Sequence, residues 1–481
     1  MGIVKDTPEN HGLSSKALLD FFTEIEQLRL EVNSFMLLQD GRATAQFWRK
    51  PYTMNGPQLL FSLSKSFTSI AVGIACDYGY LDLQDKVIAF FPSKLPNSIS
   101  PNLAKMTIHH LLSMNAGHHD NIYSVVAAEQ DWVQTFLALA VEHEPGTYYR
   151  YSTHSTYMLS AIIEQATGQS LVDFLMPKLF EPLGIPRPSW ETCPMGIAAG
   201  GMGLSLSTES IAKFGQMLLN QGMYEGRRIV SESYIAVATA KQSDNRLMGA
   251  GRADSVQGYG YQFHLCRHGC YRGDGSFGQL CFVAPEQQIV IAATASFNNM
   301  GELQALLDLI YAHIIQQVGN TDPCSTADQA KLEQRLSSMS CTIPVFKPVP
   351  DFMRQVNNHC YMMDENPQRL AKVRFFLQEE RLQLHLLYGD DREDRLAFDF
   401  TKAVHTKSVF AKDLSMQLQE VVTYASWQHD NTLQLTLMYI ETPYRVTYTI
   451  IFKEKAIDLQ FNINVSLTLS DYKARGSLFP H

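Results

Sequence analysis

The sequence predicts an α+β protein with an antiparallel sheet flanked by helices, followed by a C-terminal all-β domain. Strand-like segments occur near the start and again after residue 257, and helix-like segments fill the interval between them. Residues 351–481 instead alternate polar and apolar positions, which is typical of short antiparallel strands. With 481 residues, the chain is also longer than one hydrophobic core usually supports.

The expected first domain covers residues 1–320. Its helices are predicted where apolar residues recur at helical spacing, at 14–30, 62–79, 107–115, 127–141, 155–167, 207–220 and 301–317. Its strands are predicted at 34–39, 43–48, 258–266, 270–273, 277–284 and 288–296. A turn around Gly41 joins the first two strands as a hairpin.

A linker is expected at residues 321–350, because this polar stretch ends in the proline-rich segment "IPVFKPVPD". The second domain, residues 351–481, contains alternating segments such as "RLQLHLLYG" and "YRVTYTIIF" and no clear long helix. These features predict a small antiparallel barrel or sandwich.

Composition excludes several classes of partner. A formal charge of -9 and a pI near 5.9 provide no basic surplus for nucleic acid or an anionic membrane. The start of the chain lacks the pattern of an export signal, and no apolar run is long enough to span a bilayer. We therefore expect a cytoplasmic protein, whose eight scattered cysteines are free thiols.

The segment "CRHGC" invites a metal interpretation, since Cys266, His268 and Cys270 are all possible ligands. A zinc site needs a fourth ligand, and Gly269 at the centre favours a hairpin turn. We expect the turn and no metal.

The segment "FSLSK" carries the chemistry that we consider first. Lys65 follows Ser62 by three residues, which places both side chains on one helical face. A nearby amine can remove the hydroxyl proton and make the serine a nucleophile. The neighbouring Ser64 points elsewhere and is a weaker candidate. Burial of the helix would desolvate Lys65 and favour the neutral amine that a base requires.

Spacing alone is weak support, because the same pattern occurs at Ser210 with Lys213 and at Ser470 with Lys473. An N-cap serine followed by a solvated lysine is the structural alternative for Ser62 and Lys65. Tyr151, in "PGTYYRYST", is a second candidate, either as a proton carrier stabilised by an ammonium group or as a core aromatic.

In combination and in order, these segments resemble the serine β-lactamase and penicillin-binding protein-like superfamily, in the branch of class C β-lactamases, D-aminopeptidases and esterases. The matching segments are "SLSK", "PGTYYRYST" and "RGDGSFGQ", supported by "TIHHLLSMNAG" and the Gly-rich "AAGGMGLSLSTES". The resemblance covers residues 10–318 and implies a β-lactamase-like sheet flanked by helices.

Carried over to this sequence, the resemblance makes Ser62 the nucleophile, Lys65 its base and Tyr151 the proton carrier to the leaving group. It assigns residues 273–276 to the strand at the edge of the cleft. The N–H groups of Ser62 and Ser276 would then stabilise the oxyanion. Taken by itself, "GDGSFG" is also consistent with an ordinary turn. The residues assigned to oxyanion and substrate binding are Ser276, Gly275, Asp274, Gly273 and Thr153.

Two departures from the family pattern narrow the expected substrate. Thr153 replaces an Asn that would orient substrate and touch Lys65, and Gly273 replaces a Lys or His that would pair with a carboxylate. Arg272 should face away from Gly273 on a regular strand, so that only a bulge would bring it round.

We therefore expect a serine hydrolase for an ester or amide that lacks a required carboxylate, acting on a small molecule or short peptide without cofactor. The alternatives are a β-lactamase or D-amino-acid peptidase, and an inactive binding module. The second domain either shapes the cleft or mediates self-association as a homo-oligomer.

Other residues receive structural interpretations. His118 and His119 are expected to be solvated loop residues, and Asp274 is expected to cap a turn. Tyr259, Tyr261 and Phe263 alternate as one face of a strand would.

Overall fold

The computed structural model describes residues 2–249, 251–320, 325–429 and 431–479, which form two compact units. The first unit consists of Met1–Trp48 and Pro57–Met339, and the second of Arg49–Gly56 and Ser340–His481. Within the described residues, no helix combines the length and apolar character that crossing a bilayer requires.

The first unit is mixed helix and strand. Its helices are α1 Ser15–Gln27, α2 Ser64–Asp77, α3 Pro101–Lys105, α4 Ile108–Leu112, α5 Tyr123–Ala127, α6 Trp132–Ala138, α7 Thr153–Thr167, α8 Leu171–Leu175, α9 Thr208–Leu219, α10 Glu232–Ala238, α11 Met300–His313 and α12 Thr326–Ser338. Its strands are β1 Val32–Gln39, β2 Arg42–Trp48, β3 Gln58–Leu59, β4 Ser189–Trp190, β5 Leu204–Leu206, β6 Met223–Tyr224, β7 Arg227–Arg228, β8 His264–Leu265, β9 Tyr271–Gly275, β10 Gln279–Ala284 and β11 Ile289–Ala295.

The main sheet of this unit is antiparallel, in the order β2-β1-β11-β10-β9-β8. Helices α1, α11 and α12 contribute to the core cluster of the sheet, and α9 also packs on β1, β10 and β11. Phe21, Phe22, Phe35 and Phe47 interlock within this core at ring-centroid distances of 5.1–6.0 Å. The predicted antiparallel sheet flanked by helices is confirmed.

One predicted strand is largely absent. Of residues 258–266, only His264 and Leu265 form a strand, and Gln262 has a positive φ of 66°. The side chain of Gln262 is buried and donates to the carbonyls of Leu111 and Leu112, which fixes the segment as an ordered loop. Tyr259, Tyr261 and Phe263 therefore do not form one face of a strand.

The segment that we expected to be a linker, residues 321–350, contains a helix and contributes to both units. Helix α12 lies within it and packs on α1, with Leu332 buried in the core of the first unit. The chain passes to the second unit after Met339. Cys324 lies outside the described residues.

The second unit is an almost closed barrel, which agrees with the predicted all-β domain. Its elements are α13 Asp351–Gln355, β12 Cys360–Met363, β13 Leu370–Gln378, β14 Arg381–Tyr388, β15 Glu393–Asp399, β16 Val404–Ala411, β17 Met416–His429, β18 Thr432–Tyr439, β19 Arg445–Phe452, β20 Ala456–Ile463 and β21 Tyr472–Leu478. The antiparallel order is β15-β14-β13-β12-β21-β20-β19-β18-β17-β16. Alternate residues such as Leu382, Leu384 and Leu386 fill its interior.

The second unit also incorporates a short segment from far upstream. Tyr52, within Arg49–Gly56, is buried against Val422, Tyr424 and Met438. Its hydroxyl donates to the carbonyl of Thr442 at 3.4 Å. A further backbone bond joins Cys341 N–H to the carbonyl of Lys50. No local sequence pattern indicates this association.

We predict that Tyr52→Ala destabilises the protein by about 3 kcal/mol, because it empties a buried aromatic site. Urea unfolding followed by circular dichroism measures the loss. Tyr78→Ala is the matched control, since Tyr78 is 63% exposed. Equal, small effects of the two substitutions would contradict the assignment of residues 49–56 to the second unit.

Candidate active site

Ser62 lies in a tight turn that immediately precedes helix α2. Phe61–Leu63 form a 3-10 turn, whereas the sequence predicted a helix from residue 62. Phe61 has a positive φ of 48°, a conformation that costs a non-glycine residue about 1–3 kcal/mol. The bond from Leu60 N–H to the carbonyl of Leu204, at 2.8 Å, anchors the start of this turn.

The other hydroxyls at the start of α2 have structural roles. Ser64 Oγ donates to the carbonyl of Phe61 at 2.6 Å and accepts from the N–H of Leu204 at 3.2 Å. Ser66 Oγ donates to the carbonyl of Gln262 at 2.9 Å. These bonds tie α2 to β5 and to the loop before β8.

Lys65 is 1% exposed and lies between three oxygen atoms. Its Nζ is 3.1 Å from Ser62 Oγ, 3.2 Å from Thr153 Oγ1 and 2.7 Å from the carbonyl oxygen of Gly201. The amine also lies 4.9 Å from the centre of the Tyr151 ring. The solvated-lysine alternative is therefore wrong, and the structure brings Ser62, Lys65, Tyr151 and Thr153 together.

The repeated Ser-x-x-Lys spacings lead to different environments. Lys213 pairs with Glu209 at 3.0 Å, while Ser210 Oγ bonds to Ser207. Ser470 lies in a loop of the second unit, and Lys473 lies in β21. The spacing therefore requires a suitable fold before it produces a serine-lysine contact.

Tyr151 and Thr153 are positioned by the start of α7. Ser152 caps this helix by accepting from Ser155 N–H, which leaves Tyr151 just before the cap and Thr153 in the first turn. Burial raises the pKa of Tyr151, although its hydrogen bond with Ser62 opposes the shift. The resting phenol therefore keeps its proton, rather than forming the phenolate that we considered from the sequence.

The departure at Thr153 has a smaller consequence than expected. The sequence suggested that replacing Asn removes a contact with Lys65, but the threonine hydroxyl accepts from this amine. What the threonine does not supply is a side-chain amide N–H.

A glycine-rich loop supplies the third acceptor for Lys65. A Cβ atom on Gly201 would lie only 2.7 Å from the carbonyl oxygen of Thr153, so the loop needs glycine here to pass close to α7. Gly201 then directs its carbonyl oxygen to Lys65. Sequence reasoning recognised the loop but missed this contact, because a backbone acceptor has no residue-specific signature.

Strand β9 packs its backbone directly against the segment that carries Ser62. A Cβ atom on Gly273 would lie 2.4 Å from Ser66 Oγ, and one on Gly275 would lie 2.1 Å from the carbonyl oxygen of Leu60. No side chain fits at either position without movement of its neighbours. The missing Lys or His at residue 273 thus reflects close packing.

Asp274 and Arg272 lie on the opposite face of β9 from Gly273, as a regular strand requires. Asp274 pairs with Arg272 Nε at 2.7 Å instead of capping a turn, and Arg272 also donates to the carbonyl of Asp254. Burial raises the pKa of Asp274, but its interactions with Arg272, His264 and Lys65 together outweigh this effect and the net pKa is lowered. Arg272 therefore stays on the face that a regular strand predicts, paired with Asp274.

Ser276 follows β9 in a 3-10 turn, Ser276–Gly278. The next residue, Phe277, has a positive φ of 66° and packs edge-on against Phe61 at 5.1 Å. The residues that follow the β9 glycines and those that precede Ser62 are therefore packed together. This arrangement keeps Ser276 near the turn of Ser62.

His264 is the main side chain that sequence reasoning missed. It lies on β8, paired in register with Arg272 of β9. Its ring is nearly parallel to that of Tyr151, with centroids 6.1 Å apart, and its Nε2 is 3.8 Å from Asp274 Oδ1. Burial lowers the pKa of His264 to about 4, so the imidazole is neutral near pH 7. Its place in the hairpin before "RGDG" was the available signal.

The remaining histidine expectations meet different outcomes. His118 is buried against Phe136, contrary to the solvated loop residue that we expected, and burial lowers its pKa to about 4. His119 is exposed and contacts His143 at 3.0 Å.

The segment "CRHGC" forms the predicted hairpin turn between β8 and β9, in which Cys266 and Cys270 are free thiols. Among the described residues, no His, Cys, Asp or Glu cluster is arranged to hold a metal.

The comparisons with known proteins agree with this architecture. The family model described as Beta-lactamase matches residues 26–313. A 6-aminohexanoate-dimer hydrolase from Paenarthrobacter ureafaciens is 24% identical over 316 residues, or 61% of this chain and 80% of that protein. Penicillin-binding protein 4* from Bacillus subtilis (strain 168) is 29% identical over 147 residues, or 28% of this chain and 31% of that protein.

Solved structures give the same fold. A putative 6-aminohexanoate-dimer hydrolase from Bacillus anthracis has a TM-score of 0.53 at 20% identity, covering 62% of this chain and 83% of that one. EstCE1, a hydrolase with promiscuous acyltransferase activity, has a TM-score of 0.51 at 17% identity and covers 62% and 99%, respectively. Identities this low establish a shared fold and no more.

We predict that Gly273→Ala destabilises the protein by about 1–3 kcal/mol, since the new methyl group overlaps Ser66 and Leu63. Gly389→Ala is the control, because its nearest neighbouring atom would be 3.6 Å away. Thermal unfolding of both variants provides the comparison. Indistinguishable melting temperatures would refute the close packing of β9 against the turn of Ser62.

Proposed function

Because the chain belongs to the beta-lactamase family, we propose that it is a serine hydrolase that cleaves an ester or amide through an acyl-enzyme on Ser62. The observation that carries the proposal is the contact of 3.1 Å between Lys65 Nζ and Ser62 Oγ in a desolvated setting. Its relatives include hydrolases, which supports the reaction class in general.

In the first step, Ser62 Oγ attacks the carbonyl carbon of the substrate as its proton passes to Lys65 Nζ. The N–H groups of Ser62 and Ser276 stabilise the negative charge that develops on the carbonyl oxygen. The first backbone bond within the 3-10 turn is from Leu63 N–H to Leu60, so Ser62 N–H lies ahead of the hydrogen-bonded part of the turn.

The second step breaks the bond to the leaving group. Tyr151, protonated at rest and with its ring centre 4.9 Å from Lys65 Nζ, donates its proton to the departing oxygen or nitrogen and is reprotonated from Lys65. A water molecule then attacks the acyl-enzyme. Lys65 and Tyr151 accept its proton and return one to Ser62 Oγ, which regenerates the starting state.

The substrate that this site suits best lacks an obligatory carboxylate. Gly273 provides no cation, and Arg272 is already paired with Asp274. An uncharged small-molecule ester or amide fits this environment better than a substrate recognised by its negative charge. The chemistry needs no cofactor.

The amide option within this proposal is supported by one relative, which carries the name 6-aminohexanoate-dimer hydrolase. β-Lactam hydrolysis and D-amino-acid peptidase activity are further alternatives from the same family. An inactive binding module is the remaining alternative, but the hydroxyl of Thr153 still contacts Lys65, which argues against loss of the catalytic arrangement.

We predict that the wild-type protein hydrolyses p-nitrophenyl esters and reacts with a fluorophosphonate probe, because Ser62 is an activated nucleophile. Ser62→Ala should lose both reactions by about a thousandfold or more. The assay panel adds nitrocefin and D-alanyl p-nitroanilide to separate the family alternatives.

Ser64→Ala is the control for this pair of assays, since Ser64 Oγ is used by Phe61 and Leu204. Its labelling should persist in protein that remains folded. Failure of the folded wild-type protein to label, or undiminished labelling of Ser62→Ala, would refute the proposal.

We also predict that Thr153→Val lowers kcat by about tenfold, because removal of one hydrogen bond disturbs the position of the Lys65 amine. Thr153→Ser, which keeps the hydroxyl, should retain most of the activity. Steady-state kinetics with a p-nitrophenyl ester distinguishes them. Equal activities would show that the bond from Lys65 to Thr153 has no catalytic value.

A further inference from the structure

His264 carries a buried polar atom, Nδ1, that the described residues leave without a hydrogen-bond partner. A buried polar group without a partner is unfavourable, and such groups in folded proteins are usually satisfied by a ligand or by water. Because the His264 ring lies beside Tyr151, the proposed proton carrier, the substrate is a candidate partner for this atom.

The surroundings of His264 assign its protonation. The charges of Asp274, Arg272, Lys65 and Arg252 all affect the pKa of His264, but burial has a larger effect than any of them. The carboxylate of Asp274 lies near Nε2, which favours the tautomer with its proton on that nitrogen. Nδ1 then has a free lone pair and acts as an acceptor.

The fold makes His264 a neighbour of the proposed reacting groups. Its ring lies nearly parallel to that of Tyr151 and meets the ring of Tyr259 edge-on, with centroids 4.9 Å apart. On the adjacent strand, close packing excludes any side chain from Gly273. His264 lies on the same face of the sheet as Arg272 and Asp274, whose charges pair with each other, so it offers a neutral polar group beside Tyr151.

We infer that His264 is a specificity-determining residue whose Nδ1 accepts a hydrogen bond from an N–H or O–H group on the acyl part of the substrate. The inference rests on the proposed function and narrows its substrate class. The favoured substrate is an uncharged ester or amide that carries a hydrogen-bond donor near the scissile carbonyl. A neutral imidazole offers no attraction to a carboxylate, which distinguishes His264 from the lysine or histidine cation that Gly273 replaces.

A matched pair of esters tests the inference. The p-nitrophenyl ester of N-acetylglycine carries an amide N–H, and that of 4-oxopentanoic acid has a methylene group in its place. Both are uncharged, and their chains have the same length. The measured quantity is the ratio of the two kcat/KM values, compared between proteins so that the intrinsic reactivities of the esters cancel.

His264→Phe keeps an aromatic ring but lacks the acceptor, and we expect it to lower the ratio by about fivefold to tenfold. His264→Asn places an amide oxygen near the position of Nδ1 and should retain most of the ratio. His268→Asn, in the exposed turn of the same hairpin, should leave the ratio unchanged. Should His264→Phe fail to fold, His264→Leu serves as the variant without an acceptor.

Fluorophosphonate labelling of every variant distinguishes failure of the proposed hydrolase function from failure of the role assigned to His264. Normal labelling with an unchanged ratio in His264→Phe or His264→Leu would overturn the role of His264 and leave the hydrolase intact. An equal decrease of the kcat/KM ratio in all His264 variants, including His264→Asn, would also overturn the role of His264 as an acceptor, because the ring and not the acceptor would then matter. Absence of both labelling and ester hydrolysis in the wild-type protein would refute the proposed function and the inference together.

Discussion

The site depends on one interaction, the contact between a desolvated lysine amine and the hydroxyl of Ser62. Lys65 is buried, and its amine donates to oxygen atoms of Ser62, Thr153 and Gly201. Three separate parts of the chain must therefore meet within hydrogen-bonding distance of one nitrogen. The strained turn at Phe61, the start of α7 and the glycine-rich loop are the local features that allow this meeting.

The ionisable side chains around Lys65 are either paired with an opposite charge or neutral. Arg272 is paired with Asp274, Tyr151 retains its phenolic proton, and His264 is neutral near pH 7. An arrangement of paired and neutral groups favours an uncharged substrate over one recognised by a carboxylate. In the mechanism that we propose, it also keeps Tyr151 protonated, so that Tyr151 can donate to the leaving group.

Sequence reasoning succeeded where the signal is local or periodic. The spacing of Ser62 and Lys65, most strands of the main sheet and the alternating barrel strands could be predicted, because short-range geometry determines them. It failed where the determining contact joins distant segments. Tyr52 packs in the second unit, far from its neighbours in sequence. Gly201 contacts Lys65 through a backbone carbonyl, and His264 is brought to the site by its pairing with Arg272 on the adjacent strand. Gly273 is a third case. The sequence shows that the motif lacks a Lys or His at this position, but only the structure shows that close packing leaves no room for a side chain.

Trapping the reaction intermediate tests the central claim most directly. A p-nitrophenyl ester is mixed with the protein, quenched in acid within the first turnover and digested, and the acylated peptide is identified by mass spectrometry. The account predicts that the acyl group is on Ser62 in the wild-type protein and that no adduct forms within the same time in Lys65→Met. Turnover without an adduct, an acyl group on another residue, or rapid acylation of Lys65→Met would contradict it.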